Sequence, residues 1–256
     1  MGNISAPSEI QGRKIFFLNP TAPVQHQIIE ELVQQEFEVY VAKDHSKLSR
    51  LLKNYSDSIV FVNIDEGMPE PEWEKWIRGI MTALPDIDIG VFSANTDEEI
   101  KLKYINDVHI PCGYTHLSLD MSKTVPKIFE ILKIVNAKGL RKYIRATMEN
   151  DASATLNLPL RGDFIKGLIK DISVVGISCT FDQDPDLTKN ALFKDIQIRL
   201  QSMLLKVEAI VFGSRMDGNE KIYVLLFTQR IDPEVRTRIR KYIQSNLQSK
   251  MDKNLK

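Results

Sequence analysis

The sequence has few cysteines and histidines, and it contains no long apolar run. Two cysteines and four histidines occur among its 256 residues. Cys112 and Cys179 stand far apart among apolar residues, which favours buried free thiols in a reducing compartment. The histidines show no ligand spacing, so we expect no metal site. No apolar stretch reaches the ~18 residues that cross a bilayer, and the first residues lack the regions of a secretory signal. We therefore expect a cytoplasmic protein without membrane insertion.

The motifs of nucleotide hydrolysis, dinucleotide binding and acyl transfer are also missing. The sequence contains no G-x-x-x-x-G-K-[ST], no G-x-G-x-x-G and no G-x-S-x-G. These patterns supply a phosphate-binding loop, a pyrophosphate-binding turn and a nucleophilic serine, respectively. We therefore expect no catalytic residues and no enzymatic activity.

The net charge of zero conceals an asymmetry along the chain. Residues 1–135 hold 13 basic and 20 acidic residues, a net charge of −7, whereas residues 136–256 hold 21 and 14, a net charge of +7. This contrast predicts two domains with different partners, although opposite charge also helps the halves attract each other. We expect an unidentified protein partner for the acidic half. Nucleic acid is the alternative partner for the basic half, but the aliphatic character of its strands argues against it.

The first half alternates short apolar runs with helical periodicity. Runs such as KIFFLNP (14–20) are typical of buried strands, whereas VQHQIIEELVQQEF (24–37) repeats its apolar residues at the helical period. The pattern predicts five strands, the last a short one within 109–119, and five helices. Ser46 and Thr96 are the expected caps of two helices, and Gly139 the expected stop of the last. This alternation predicts a parallel sheet with helices on both faces.

The second half has the pattern of a small antiparallel barrel. Six strand candidates follow at short intervals within 152–160, 164–172, 174–181, 193–201, 204–215 and 221–229. Asp217-Gly218 predicts a hairpin between the last two. Asp232-Pro233 then opens a C-terminal helix. Its apolar stripe, expected to lie on the barrel, is Val235, Ile239, Tyr242, Ile243 and Leu247.

Two polar motifs stand at the start of this second half. Arg141 and Arg145 form R-x-x-x-R within KGLRKYIRATMEN (138–150), and Asp171, Ser173 and Gly176 form D-x-S-x-x-G between two strand candidates. Either motif alone is unspecific. Their order, their separation and the barrel pattern around them resemble the PilZ domain, a bacterial receptor for the second messenger cyclic di-GMP. The resemblance covers roughly residues 138–250, and it implies a six-stranded barrel with a C-terminal helix.

The resemblance implies that these five residues bind cyclic di-GMP, as a ligand and not as a catalytic cofactor. Arginine can clamp a phosphate or the O6/N7 edge of guanine and can stack on the base. A carboxylate at 171 can accept from the N1 and N2 donors of guanine, and a hydroxyl at 173 adds a small donor or acceptor. Glycine at 176 leaves room for the ligand. In that family the residue before the first arginine influences how many ligand molecules bind, and the apolar Leu140 at this position implies one molecule and not two. The alternatives are surface charge for the arginines, a turn at 171–173 and a bulge at 176.

The first half resembles a response-regulator receiver that has lost most of its phosphorylation chemistry. The acidic pair expected after the first strand is missing from FFLNPTAP (16–23), and Asn63 stands where the phosphoacceptor aspartate belongs, with Asp65 two residues on. Ser93-Ala94 matches the hydroxyl–small pair after the fourth strand, but the lysine expected after the fifth is absent. We therefore expect a degenerate receiver, with phosphorylation of this domain as the alternative function. A PilZ domain behind a different front half is reminiscent of two-domain PilZ proteins of spirochaetes.

The predicted organisation follows from these boundaries. It comprises a flexible N-terminus at 1–11, a receiver-like α/β domain at 12–135, a hinge with both arginines at 136–146 and a PilZ-like barrel with its C-terminal helix at 147–256. Because the arginines lie in the hinge, we expect ligand binding to change the arrangement of the two domains and the binding of a partner.

Overall fold

The computed structural model describes residues 11–118, 120–148 and 153–254 and divides them into two compact units. The first unit runs to Lys142 and includes the end of the chain from Leu247, and the second is Tyr143–Asn246. Of the N-terminus predicted to be flexible, only Gln11 lies among the described residues.

The first unit is built on a parallel five-stranded sheet. Its strands are β1 (Ile15–Leu18), β2 (Val39–Ala42), β3 (Ile59–Asn63), β4 (Asp88–Ser93) and β5 (Tyr114–His116). All pairings are parallel and the order is β2-β1-β3-β4-β5, which is the flavodoxin-like order of doubly wound sheets. The predicted α/β fold is confirmed, including the short fifth strand.

Five helices cover the two faces of this sheet. They are α1 (a π-helical segment Val24–Ile29 continued by Glu30–Gln34), α2 (His45–Leu52), α3 (Glu70–Ala83), α4 (Glu98–Leu102 continued by a π-helical Lys103–Val108) and α5 (Thr124–Ile134). Because successive strand residues point to opposite faces, Phe16 and Phe17 belong to different core clusters. Trp73 is fully buried in one of them, and Trp76 packs at the margin of the same cluster.

The helix ends of this unit differ from the predictions in three places. Asp44, and not Ser46, caps α2 by accepting from the backbone N–H of Lys47 at 2.9 Å. The residue after Thr96, Asp97, caps α4 in the same way. Helix α5 ends before Gly139, and Asn136, with a φ of 50°, supplies the left-handed residue after it. At both helix N-termini, a neighbouring aspartate, and not the predicted residue, accepts from the free backbone N–H group.

The second unit is a closed antiparallel barrel. Its strands are β6 (Ala146–Thr147), β7 (Thr155–Leu160), β8 (Asp163–Ser173), β9 (Gly176–Phe181), β10 (Leu192–Leu200), β11 (Met203–Asp217) and β12 (Glu220–Phe227). The order β8-β7-β10-β11-β12-β9 returns to β8, because β8 pairs with β7 along its first half and with β9 along its second. All six predicted strands and the β11–β12 hairpin are confirmed, and β6 is an additional short strand on the end of β8.

The last helix, α6 (Pro233–Asn254), begins in the second unit. Ile239 and Ile243 of its predicted stripe are buried. Leu247 was expected to lie on the barrel, but it packs with Met251 against the core of the first unit. There the side-chain amide of Gln248 accepts from Val41 N–H and donates to Val41 O, each at 2.9 Å, and so covers the edge strand β2. None of the helices in the described part of the chain is long and apolar enough to cross a bilayer.

Candidate functional site

Arg145 is held beside Asp171 by a short strand that the sequence did not reveal. Residues Ala146 and Thr147 form β6, which pairs antiparallel with Ile172 and Asp171 at the end of β8. Arg145 immediately precedes this strand, two residues before Thr147, which is the register partner of Asp171. Its Nη1 lies 3.8 Å from Asp171 Oδ1, and its side chain is 48% exposed. The pair is therefore an ion pair at the surface, with a cation still open to solvent.

Asp171 is also fixed from the other side. Ser178 on β9 is its register partner, and the Ser178 hydroxyl donates to Asp171 Oδ2 at 2.5 Å. Directly after Ser178, Cys179 is fully buried. Burial, with a smaller contribution from the Asp171 charge, raises the pKa of the Cys179 thiol to about 12. The two oxygens of the carboxylate thus have different partners, a buried hydroxyl on Oδ2 and an exposed arginine near Oδ1.

Ser173 and Gly176 lie at the two ends of the β8–β9 turn. The Ser173 hydroxyl donates to Gly176 O at 3.3 Å and accepts from Val175 N–H at 3.4 Å, and the residue is 4% exposed. A Cβ on Gly176 would lie 2.4 Å from Leu225 O on β12. Glycine is therefore needed here for the close approach of two strands, and the serine ties the turn together. Both residues act on the shape of the turn that presents Asp171.

Arg141 lies in the irregular segment before the barrel. The described residues between Asn136 and Arg145 form neither helix nor strand, so the arginine pair is not a helical face. Arg141 and Leu140 are both exposed. Arg141 belongs to the first unit, whose N-terminal stretch ends at the next residue, Lys142. Its place in the candidate site stays a prediction from the R-x-x-x-R spacing.

The carboxyl edge of the first sheet is occupied by its own side chains. At this edge, where ligands of doubly wound sheets bind, Asn63 donates its amide to Asn19 O at 2.9 Å and accepts from Asp65 N–H at 3.1 Å. The Asp65 carboxylate accepts from the Ser93 hydroxyl at 2.5 Å and from Ala94 N–H at 2.6 Å. The residue at the expected phosphoacceptor position is thus an amide bonded to backbone, and the nearby carboxylate has both oxygens engaged.

Comparisons with known proteins find similar folds only. No family model and no curated protein sequence matches the chain. Among solved structures, the PilZ domain with c-di-GMP of YcgR from Escherichia coli matches at 16% identity over 44% of this chain and 96% of that one, with a TM-score of 0.38. The MrkH–c-di-GMP complex of K. pneumonia matches at 18% over 46% and 57%, with a TM-score of 0.41. A response regulator from Thermotoga maritima matches at 22% over 48% and 98%, with a TM-score of 0.39.

One of these neighbours is a PilZ domain and another is a response regulator, the two kinds of protein that the two halves of the sequence resemble. The chain covers little more than half the length of MrkH.

Proposed function

We propose that this chain is a bacterial receptor for cyclic di-GMP. The observation that carries the proposal is the β6–β8 pairing, which sets Arg145 beside Asp171 at the turn formed by Ser173 and Gly176. The sequence supplies the second arginine, Arg141, four residues earlier. A cation, a carboxylate and a turn that contains glycine therefore lie together at one place on the barrel.

The chemistry of the ligand matches this set. Cyclic di-GMP carries two phosphates and two guanines, and a guanidinium can pair bidentately with either a phosphate or the O6/N7 edge. The Asp171 carboxylate accepts from the N1 and N2 donors of a guanine. Asp171 Oδ1 is the counter-ion of Arg145 at 3.8 Å, a distance that leaves the arginine donors available. Binding would exchange a weak surface ion pair for charge-assisted hydrogen bonds to the ligand.

Calorimetric titration of the full chain with cyclic di-GMP tests the proposal. We expect binding by the wild type, with about one ligand molecule per chain, and a loss of roughly 100-fold or more in Arg145→Ala and Asp171→Ala, because each leaves a desolvated polar partner unpaired. Arg199→Ala is the matched control, since Arg199 is an exposed arginine on β10, which pairs with neither β8 nor β9. No binding by the wild type, or equal loss in the control, would overturn the proposal.

We further propose that the ligand acts by ordering residues 136–146. Arg141 and Arg145 both lie in this segment, so a ligand that contacts them restricts the connection between the two units. The acidic half, with its net charge of −7, would then present a different surface to a protein partner. Small-angle scattering with and without cyclic di-GMP measures the change, and a pull-down under both conditions measures the partner. A scattering profile unaffected by saturating ligand would contradict this mechanism while leaving the ligand assignment intact.

A further inference from the structure

We infer that Ser178 is a positioning residue of the candidate site, which acts on the ligand only through Asp171. The inference rests on the proposed function, because it concerns how the carboxylate is presented to a guanine. Ser178 lies outside both sequence motifs, and neither the spacing of those motifs nor the fold by itself assigns it a role.

The register of the barrel brings the two side chains together. Asp171 and Ser178 are direct partners in the antiparallel β8–β9 pair, and a β-bulge lies between Ile169 and Asp171. A bulge inserts one residue into a strand and turns the following side chain to the other face. Asp171 therefore projects on the same face as Ser178, and the hydroxyl donates to Oδ2 at 2.5 Å.

The burial of this face of β9 shows that a hydroxyl at 178 is not a solvated surface group. Ser178 and Thr180 point to the same face of the strand and are 4% and 8% exposed. A buried hydroxyl needs a partner, because burial without one costs free energy. The partner of Ser178 is the carboxylate of Asp171, whose side chain is 21% exposed. The bond therefore joins a protected donor to an acceptor at the rim of the site.

This bond decides which oxygen of Asp171 remains for other groups. With Oδ2 taken by the buried hydroxyl, Oδ1 is the oxygen that faces Arg145 Nη1 at 3.8 Å. A carboxylate held on one side cannot rotate freely, so less conformational entropy is lost when a ligand binds. Ser178 would thus prepare Asp171 to accept from guanine without touching the ligand.

A double-mutant cycle on the full chain tests the inference by calorimetry with cyclic di-GMP. We expect Ser178→Ala to weaken binding roughly tenfold, the range of one charge-assisted hydrogen bond. In an Asp171→Ala background the same substitution should have no further effect. Ser178→Thr, which keeps the hydroxyl, should bind like the wild type. Thr180→Ala is the matched control, because it removes a neighbouring hydroxyl from the same face of β9.

The outcomes separate this inference from the function on which it rests. If the wild type does not bind, the proposed function fails. If the wild type binds and Ser178→Ala binds as tightly, only the role of Ser178 is overturned. Additive losses in the cycle would mean that Ser178 acts independently of Asp171 and would also overturn it. If Asp171→Ala binds too weakly to titrate, the Ser178→Thr variant provides the test. Weak binding by Ser178→Thr, with an unchanged melting temperature, would contradict the inference.

Discussion

The two units of this protein differ in how completely their polar edge residues are satisfied. In the first unit, both oxygens of Asp65 accept hydrogen bonds of 2.5 and 2.6 Å from Ser93 and Ala94. In the second, Asp171 has one such bond and a 3.8 Å contact to a half-exposed arginine. A ligand that competes for Asp65 must break two short hydrogen bonds. A ligand at Asp171 displaces only the 3.8 Å contact to Arg145, and the arginine can then pair with the ligand instead. The difference favours the barrel as the binding unit and the α/β unit as a fixed scaffold.

The largest effect is expected from filling the space above Gly176. A Cβ there would lie 2.4 Å from Leu225 O, a backbone atom that cannot move without displacing β12. We expect Gly176→Ala to destabilise the barrel by about 3 kcal/mol, the upper range for overpacking. Urea unfolding followed by signals from each unit measures the change.

Gly213→Ala is the control for this substitution, because a Cβ on Gly213 meets nothing within 4 Å. It should change barrel stability by only a few tenths of a kcal/mol, within the usual range for surface positions. Equal destabilisation by the two variants would show that β12 does not constrain position 176.

The next effect concerns the first unit and its edge strand. Gln248→Ala removes both hydrogen bonds to Val41 and leaves the edge of β2 uncovered, which we expect to cost about 1–2 kcal/mol of the stability of that unit. Hydrogen exchange at the Val41 amide is the direct measurement, and protection should fall. Lys253→Ala, an exposed change in the same helix, should leave the exchange rate unchanged. Retained protection in Gln248→Ala would contradict this account of the edge.

A pH-dependent effect is expected in the barrel. Hydrogen bonds from Tyr223 and Lys221 hold the pKa of Asp184 down at about 2, below its ordinary value of 3.8. Because the pKa is lower in the folded state, the stabilisation is complete above pH ~4 and is lost as the pH falls through about 2. Asp184→Asn should therefore lower the melting temperature at pH 7 and lower it by less as the pH approaches 2. A difference that stays constant over this range would rule out the carboxylate as the cause.

Much of the fold was predictable because it depends on local patterns. Alternation in stretches such as 164–172 predicted the barrel strands, and the Asp217-Gly218 signal predicted the last hairpin, since turn type depends on a few residues. The caps at Ser46 and Thr96 were wrong because Asp44 and Asp97 are equally good cap residues, and only the backbone angles decide between neighbours.

The residues that the sequence missed depend on long-range register. Ser178 is a small residue in a strand, and only the bulge at 169–171 sets it opposite Asp171, which no periodicity reveals. Gln248 meets Val41 across 207 positions of the chain. The motif residues themselves were found by resemblance, and their joint role in binding stays a prediction until a ligand is titrated.

The smallest effect compares the two units directly through their cysteines. The chain has one cysteine in each unit, Cys112 in the first and Cys179 in the second, and burial, the largest cause, raises the pKa of each thiol to about 12. Neither thiol should react with a disulfide reagent at pH 7 until its unit opens, because the thiolate is the reactive form. The Cys112→Ser variant retains only Cys179 and reports opening of the second unit, and the Cys179→Ser variant retains only Cys112 and reports opening of the first.

If the α/β unit is the fixed scaffold, cyclic di-GMP should slow labelling of Cys179 and leave that of Cys112 unchanged, since a ligand protects only the state to which it binds. Equal protection of both thiols would mean that the two units open together, and the contrast between a binding unit and a scaffold would then fail.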